Sequence, residues 1–163
     1  MTEEKAKQIG SRQALKSVGV GFLIAQLIMT CLSSNQGYIS GFFWFTTIDF
    51  KLNIFIGAII MLLCGHFFGQ IAGKEIIIKK RNFILVGFLC GIIVLLTTAI
   101  LSGVTGFLEE GIDNIGTNDN PYEDYFFKPL YWITMFGIIP SILVGIWFAK
   151  QIKKRGQQFE NYV

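Results

Sequence analysis

The chain has 163 residues, of which 52% are hydrophobic and only 15% are charged. A soluble domain of this size carries about a quarter charged residues. The charges are also clustered, and they leave four uncharged stretches, at residues 17–48, 52–73, 82–108 and 129–149. This pattern excludes an ordinary soluble domain. The formal net charge is +3, and the basic residues lie beside the apolar stretches. A nucleic-acid surface would instead combine basic residues with stacking aromatic rings on one face.

Each uncharged stretch contains one helix long enough to cross a membrane, since roughly 20 apolar residues span a hydrocarbon core of about 30 Å. The stretches lack the alternation that is typical of the strands of a membrane barrel. The sequence therefore predicts an all-α integral membrane protein, a four-transmembrane-helix bundle that forms one membrane domain over residues 1–163. The predicted helices cover about 17–34, 52–72, 83–108 and 129–149, with outer loops at 35–51 and 109–128 and a turn at 73–82.

The distribution of basic residues predicts the orientation of the bundle. Twelve of the fourteen Lys and Arg residues lie in segment 1–17, in the turn 73–82 or after residue 149. The positive-inside rule assigns these segments to the cytoplasm. We therefore expect a multi-pass protein of the cell membrane (plasma or inner) with both termini cytoplasmic. Basic clusters at helix ends attract anionic lipid headgroups, so the lipid bilayer is an expected partner and nucleic acid is not.

Two polar segments beside these helices carry further predictions. Ile76, Ile77 and Ile78 stand between charged residues, which predicts a short amphipathic segment lying on the inner membrane surface. The polar tail after Lys154 is predicted to fray, because chain ends are ordered only where they are held by packing.

The first helix and the loop after it hold two candidate functional residues. Gln26 lies near the middle of the first helix, and a lone glutamine in lipid is expected to hydrogen-bond to a partner helix. The uncharged aromatic segment 37–45 follows. Trp and Tyr favour the headgroup level of a membrane, which predicts an interfacial segment; a re-entrant or substrate-contacting loop is the alternative. Trp44 is a candidate for outer recognition.

Helix 2 combines a glycine face with the only histidine of the chain. Gly65, Gly69 and Gly73 recur every four residues, so they share a face that lets another helix approach closely. We expect packing within the chain, and an oligomer seam is the alternative. His66 is ionisable, which in a membrane helix is a functional hypothesis by default. No Asp or Glu occurs in the four predicted helices, so a structural hydrogen bond is favoured over proton or ligand handling.

The second outer loop, residues 109–128, is acidic. It holds six carboxylates and one lysine. Oxygen-rich loops bind hard divalent cations, but the spacing of a calcium-binding EF-hand is absent, so a solvated loop is favoured over a cation site or the docking site of a basic partner. The candidates for outer recognition in this loop are Glu109, Glu110, Asp119, Glu123 and Asp124.

The last helix contains Pro140, which removes one backbone hydrogen bond and predicts a kink. Residues 136–154 also resemble residues 56–74 when shifted by 80 positions, with six identities among nineteen. Such a resemblance is typical of two parallel helical hairpins related by an axis along the membrane normal. Chance similarity between glycine- and isoleucine-rich helices is the favoured explanation.

These features favour binding over catalysis. Hydrolysis or group transfer needs a nucleophile with a base, paired carboxylates or a metal cage, and one histidine with no carboxylate at depth offers none of these. We therefore predict no enzyme activity, no cofactor and no metal site. The predicted function is that of a small polytopic membrane protein that binds a protein partner, as a complex subunit, an assembly factor or a protective protein. A small transporter or channel subunit that works as a homo-oligomer is the alternative.

Overall fold

The computed structural model describes residues 1–33, 41–46, 51–116 and 120–160, and the side chains of 109, 110 and 160 are excepted. This part of the chain is helical throughout its regular structure and contains no strand. The four long helices are α1 (Glu3–Leu32), α2 (Lys51–Gly73), α3 (Phe83–Gly106) and α4 (Lys128–Glu160). Single π-helical turns extend α2 over Lys74–Ile78 and α3 over Phe107–Gly111, and another, Glu123–Phe127, leads into α4. All four helices are long and apolar enough to cross a membrane, which confirms the predicted all-α class and helix number.

Two helices extend well beyond the predicted spans. Helix α1 begins at Glu3 and not near Ser17, and α4 continues to Glu160. The prediction of a frayed tail after Lys154 is therefore wrong for residues 155–160, and residues 161–163 lie outside the described part of the chain. Both extensions are polar, but each buries small or apolar residues every three or four positions, including Ala6 and Gly10 in α1. Hydropathy detects the apolar span, whereas these extensions are held by helix packing.

The prediction for Ile76, Ile77 and Ile78 is also wrong. The residues do not form a separate surface segment, because α2 continues through them as a π-helical turn. Ile76 and Ile77 are each only 5% exposed and belong to the buried core, whereas Ile78 is 39% exposed. The turn therefore closes the bundle as part of its packed interior.

The four helices form an antiparallel ring in which α1 packs on α2, α2 on α3, α3 on α4 and α4 on α1. This order brings the first residues of α1, the α2–α3 turn and the last residues of α4 to one end of the bundle. We call it the basic end, because it carries twelve of the fourteen Lys and Arg residues. The other end carries Lys51 and Lys128.

The buried core lies at the basic end. It joins Ala6 and Ala14 of α1 with residues of the other three helices, and its largest fully buried side chain is Ile152. Within α1 no residue after Val18 is buried, and within α4 none before Gly145 is buried. The other halves of these two helices expose large apolar side chains, which suits contact with lipid and not with water.

The glycine face of α2 packs within the chain, against α1. A Cβ atom on Gly69 would lie 2.5 Å from Ala14 Cβ, and one on Gly65 would lie 2.7 Å from Val18 Cγ2. Such distances are shorter than real Cβ contacts, so the two helix backbones approach as closely as the glycines allow. Gly73 contacts the backbone of Ala6 in the same way.

The two antiparallel hairpins, α1–α2 and α3–α4, differ in register. Gly145 of α4 packs against the backbone of Gly87. The alignment of 136–154 with 56–74 pairs Gly145 with Gly65, and the sequence Val-Gly-Phe-Leu, found at 20–23 and at 86–89, pairs Gly87 with Gly21. Gly65 nevertheless packs against Val18, about one turn from Gly21. The two hairpins thus run in the same direction, but the helix contacts of their glycines differ.

Candidate functional site

Side chains from α1 and α2 surround the only histidine. The Ser11 Oγ atom lies 2.7 Å from His66 Nδ1, and the Gln70 Nε2 atom lies 2.7 Å from His66 Nε2. With the Gln70 amide in this orientation, its nitrogen can only donate, which makes Nε2 the acceptor and assigns the proton to Nδ1, facing Ser11. Both ring nitrogens therefore have a partner. A serine nucleophile would need the opposite arrangement, with the imidazole accepting the hydroxyl proton.

The packing of α1 on α2 sets the level of His66 in the bundle. Gly65 contacts Val18, and Gly69 contacts Ala14 and Ser11. His66 thus lies level with the point where the charged part of α1 meets its apolar part. Ser11 is buried at 7% exposure, whereas His66 itself lies on the exposed surface of α2.

Gln26 and Trp44 form a second polar cluster at the opposite half of α1. The Gln26 side-chain amide donates to the Phe42 carbonyl oxygen at 2.8 Å, and Trp44 Nε1 donates to Gln26 Oε1 at 3.0 Å. The prediction that Gln26 hydrogen-bonds to a partner helix is therefore wrong. Its partner is the short segment 41–46, which the chain folds back against α1.

This segment presents four consecutive aromatic residues, Phe42, Phe43, Trp44 and Phe45, which we call the aromatic patch. The exposed fractions of its phenylalanines are 51%, 49% and 41%. Edge-to-face ring contacts join neighbouring members, with centroids 5.4 Å apart for Phe42 and Phe43 and 6.3 Å apart for Trp44 and Phe45. The Phe43 carbonyl also accepts the Thr46 hydroxyl at 2.8 Å. The patch thus has three exposed rings and is held by hydrogen bonds to α1 and by ring contacts among its own members.

The acidic loop is only partly described. Asp119 lies outside the described residues, as do the side chains of Glu109 and Glu110. Glu123 and Asp124 are exposed on the turn before α4, and Asp124 forms an ion pair with Lys128. In the portion of the chain that is described, no three His, Cys, Asp or Glu side chains are grouped as a metal site.

Aromatic rings pack beneath this turn. Phe107 contacts Tyr122 at a centroid distance of 5.2 Å and Phe126 at 5.5 Å. The carbonyl of Tyr125 abuts Gly103 of α3. The turn is thus held against α3 by apolar contacts, and its carboxylates face outward.

Two glutamates form ion pairs at the basic end. Glu3 pairs with Lys7 and with Lys74, both at 2.8 Å, and these side-chain hydrogen bonds lower the pKa of Glu3 to about 2. Glu75 accepts a hydrogen bond from Lys79 at 2.6 Å and pairs with Arg81 Nε at 3.0 Å. These cations, Lys79 first, lower the pKa of Glu75. Both carboxylates lie outside the apolar stretches and stay ionised at neutral pH.

The remaining predicted residue, Pro140, lies inside α4, and the helix continues through it. Several polar partners are not apparent from the sequence. Ser11 and Gln70 bind His66, and Asn53 of α2 hydrogen-bonds to Thr105 of α3 near the opposite end of the bundle. Their only signal in the sequence is that each is a polar residue beside or within an apolar run.

Comparison with protein-family models, with curated proteins and with solved structures finds no match to this chain. The fold defines a class, a bundle of four antiparallel helices that are each long and apolar enough to span a membrane.

Proposed function

We propose that this chain is a small non-enzymatic protein of the cell membrane that binds a protein partner at the face bearing the aromatic patch. It would act as a complex subunit, an assembly factor or a protective protein. The basic end lies in the cytoplasm, because the positive-inside rule places Lys and Arg clusters there. The aromatic patch and the acidic loop then lie at the outer face.

The pair of hydrogen bonds from Gln26 to the aromatic patch carries this proposal. A glutamine within an apolar helix is costly unless both ends of its amide are satisfied. Here the amide nitrogen donates to the Phe42 carbonyl and the amide oxygen accepts from Trp44, so the polar group positions a patch of three exposed phenylalanines and the half-buried Trp44. Ordered, exposed aromatic side chains are typical of binding hot spots, since little conformational entropy is lost when they are covered.

The His66 cluster supports the non-enzymatic part of the proposal. Ser11 is a buried hydrogen-bond acceptor here and not an activated hydroxyl. The imidazole has both nitrogens occupied by uncharged groups, and no carboxylate orients it among its hydrogen-bond partners. The cluster thus joins α1 to α2 and offers no base for nucleophilic chemistry.

The proposed orientation predicts an all-or-none labelling pattern. In a variant whose native cysteines are replaced by serine, a cysteine at Asn120 should react with a membrane-impermeant maleimide added to intact cells. A cysteine at Gln158 should react only after the cells are opened. Both positions are exposed and lie at opposite ends of the bundle, so each serves as the control for the other. Labelling of Gln158→Cys from outside would contradict the orientation.

The binding proposal predicts a crosslink that depends on Gln26. A photoreactive phenylalanine analogue at Phe43, which is 49% exposed, should give a discrete protein adduct in intact cells. The same analogue at Leu23, which is 67% exposed on α1, is the matched control and should react with lipid alone. Adding Gln26→Leu should abolish the Phe43 adduct, because the patch loses the two hydrogen bonds that Gln26 makes with Phe42 and Trp44.

An adduct at Phe43 that persists unchanged in Gln26→Leu would show that the ordered patch is irrelevant to binding. If Phe43 gives no adduct and the purified chain conducts ions in liposomes, the transporter or channel alternative takes the place of this proposal.

A further inference from the structure

A cavity of about 510 Å³ opens at the basic end, between the α2–α3 turn and the last turns of α4. Lys80 and Arg81 line it from the turn, and Lys153 lines it from α4. Its apolar walls are formed by Ile76, Ile77 and Phe83. The cavity therefore combines cations from two separate elements with an apolar floor.

The backbone of the turn holds its cations at the cavity. Lys80 has a φ of 53°, in the left-handed region that residues other than glycine seldom adopt. Flanking hydrogen bonds maintain this conformation: the Lys79 N–H donates to the Lys74 carbonyl at 3.1 Å, and the Arg81 N–H donates to the Glu75 carbonyl at 3.0 Å. A backbone conformation of this kind persists only where the surroundings enforce it.

Basic side chains reach the cavity from both the turn and α4. On the turn, Glu75 pairs with Lys79 and Arg81. On the other side of the cavity, the Lys153 Nζ atom lies 4.7 Å from the centroid of the Phe83 ring. That contact holds the ammonium group over an aromatic face without neutralising its charge. Lys153 thus presents a positive charge to the cavity.

Apolar surface continues from the cavity along α3. Ile84 lines the cavity and is 48% exposed, and Leu85 and Phe88 beyond it are 58% and 37% exposed. A free phosphate would use the cations but would leave this surface uncovered. A phospholipid fits both features, with its phosphate among the cations and its acyl chains along α3.

We propose that this cavity binds the headgroup of an anionic phospholipid, held by Lys80, Arg81 and Lys153 with the acyl chains against α3. The inference rests on the membrane location proposed above. It goes beyond the general attraction of basic clusters for anionic membranes, because it assigns one lipid molecule to one place on the bundle.

The test is titration of the full chain, purified in neutral detergent, with dioleoyl phosphatidylglycerol, followed by native mass spectrometry. One phosphatidylglycerol should bind per chain, in preference to zwitterionic phosphatidylcholine. Lys80 and Lys153 are exposed, so the double variant Lys80→Gln/Lys153→Gln should fold. It should bind phosphatidylglycerol about 25-fold more weakly, at about fivefold for each basic residue removed near an anionic headgroup.

The double variant Lys5→Gln/Lys16→Gln is the matched control. It removes the same charge from exposed positions of the basic end that do not line the cavity, so its binding should match that of the parent chain. Equal weakening in both double variants would show diffuse charge attraction and overturn the proposal. Equal binding of phosphatidylcholine would also overturn it.

A competition experiment with inorganic phosphate completes the test. Displacement of the lipid by millimolar phosphate would indicate a phosphate site and not a lipid site. A chain that resists extraction from membranes and gives the Phe43 adduct, but shows no preference for phosphatidylglycerol, would refute this proposal alone. A chain that is released by alkaline extraction would refute the membrane location and this lipid site with it.

Discussion

Replacing Gly10 with alanine should destabilise the bundle, although alanine is the better helix former. A Cβ atom at this position would lie 2.8 Å from Gly73 Cα and 2.9 Å from Gly73 N, and closer still to the Gly69 carbonyl oxygen. All three are backbone atoms of α2, so no side chain can rotate away and the helices must separate. Overpacking of this kind typically costs about 1–3 kcal/mol, which exceeds the gain of about 0.5–1 kcal/mol from removing a helical glycine.

The measurement is unfolding by SDS titration of the protein in neutral detergent micelles. Gly19→Ala is a matched control on the same helix, because nothing lies within 4 Å of a Cβ atom at Gly19. It should be neutral or slightly stabilising. A Gly69→Ile variant should also be less stable than the parent chain, since its Cβ would lie 2.5 Å from Ala14 Cβ. Equal stability of Gly10→Ala and Gly19→Ala would mean that α1 and α2 do not pack along this face.

Replacing His66 with leucine should lower the free energy of unfolding by about 1–3 kcal/mol, the usual cost of leaving a buried hydrogen-bonding group without its partner. Ser11 is that group, since it is buried and accepts the proton of His66 Nδ1. His66→Gln keeps a polar donor and acceptor and should retain most of the stability. Phe67→Leu is the control, because Phe67 is the exposed neighbour on the same helix and has no such bond.

A double-mutant cycle gives the sharper test of this pair. Removing both hydrogen-bonding groups is cheaper than removing one, so Ser11→Ala should partly restore the stability of His66→Leu. Strictly additive effects would show that the two side chains are not coupled.

The Phe43 adduct should persist in His66→Gln between about pH 5 and 8, the range in which histidines change charge. An adduct that depends on pH in the parent chain and not in His66→Gln would assign His66 a proton-linked role.

Helix number and the charge asymmetry follow from the sequence alone. Hydropathy and charge are properties of each segment by itself, so four uncharged stretches predict four helices whatever their neighbours are. The spacing of Gly65, Gly69 and Gly73 likewise predicts a close-packed face, because residues four apart share one side of a helix. The extents of α1 and α4 did not follow, because hydropathy does not detect packing in polar segments: Ala6 and Ala14 pack in the core before Ser17, and Gly156 packs against Ile77 after Lys154.

Only the tertiary structure decided which residues meet. The spans are apolar on nearly every side, so their periodicity does not show how each helix is rotated or how far it slides against its neighbour. That register places Ser11 on His66, folds Trp44 onto Gln26 and brings Lys80 and Lys153 to one cavity. The residues of each set are distant along the chain, and close backbone approach at the glycines determines their register.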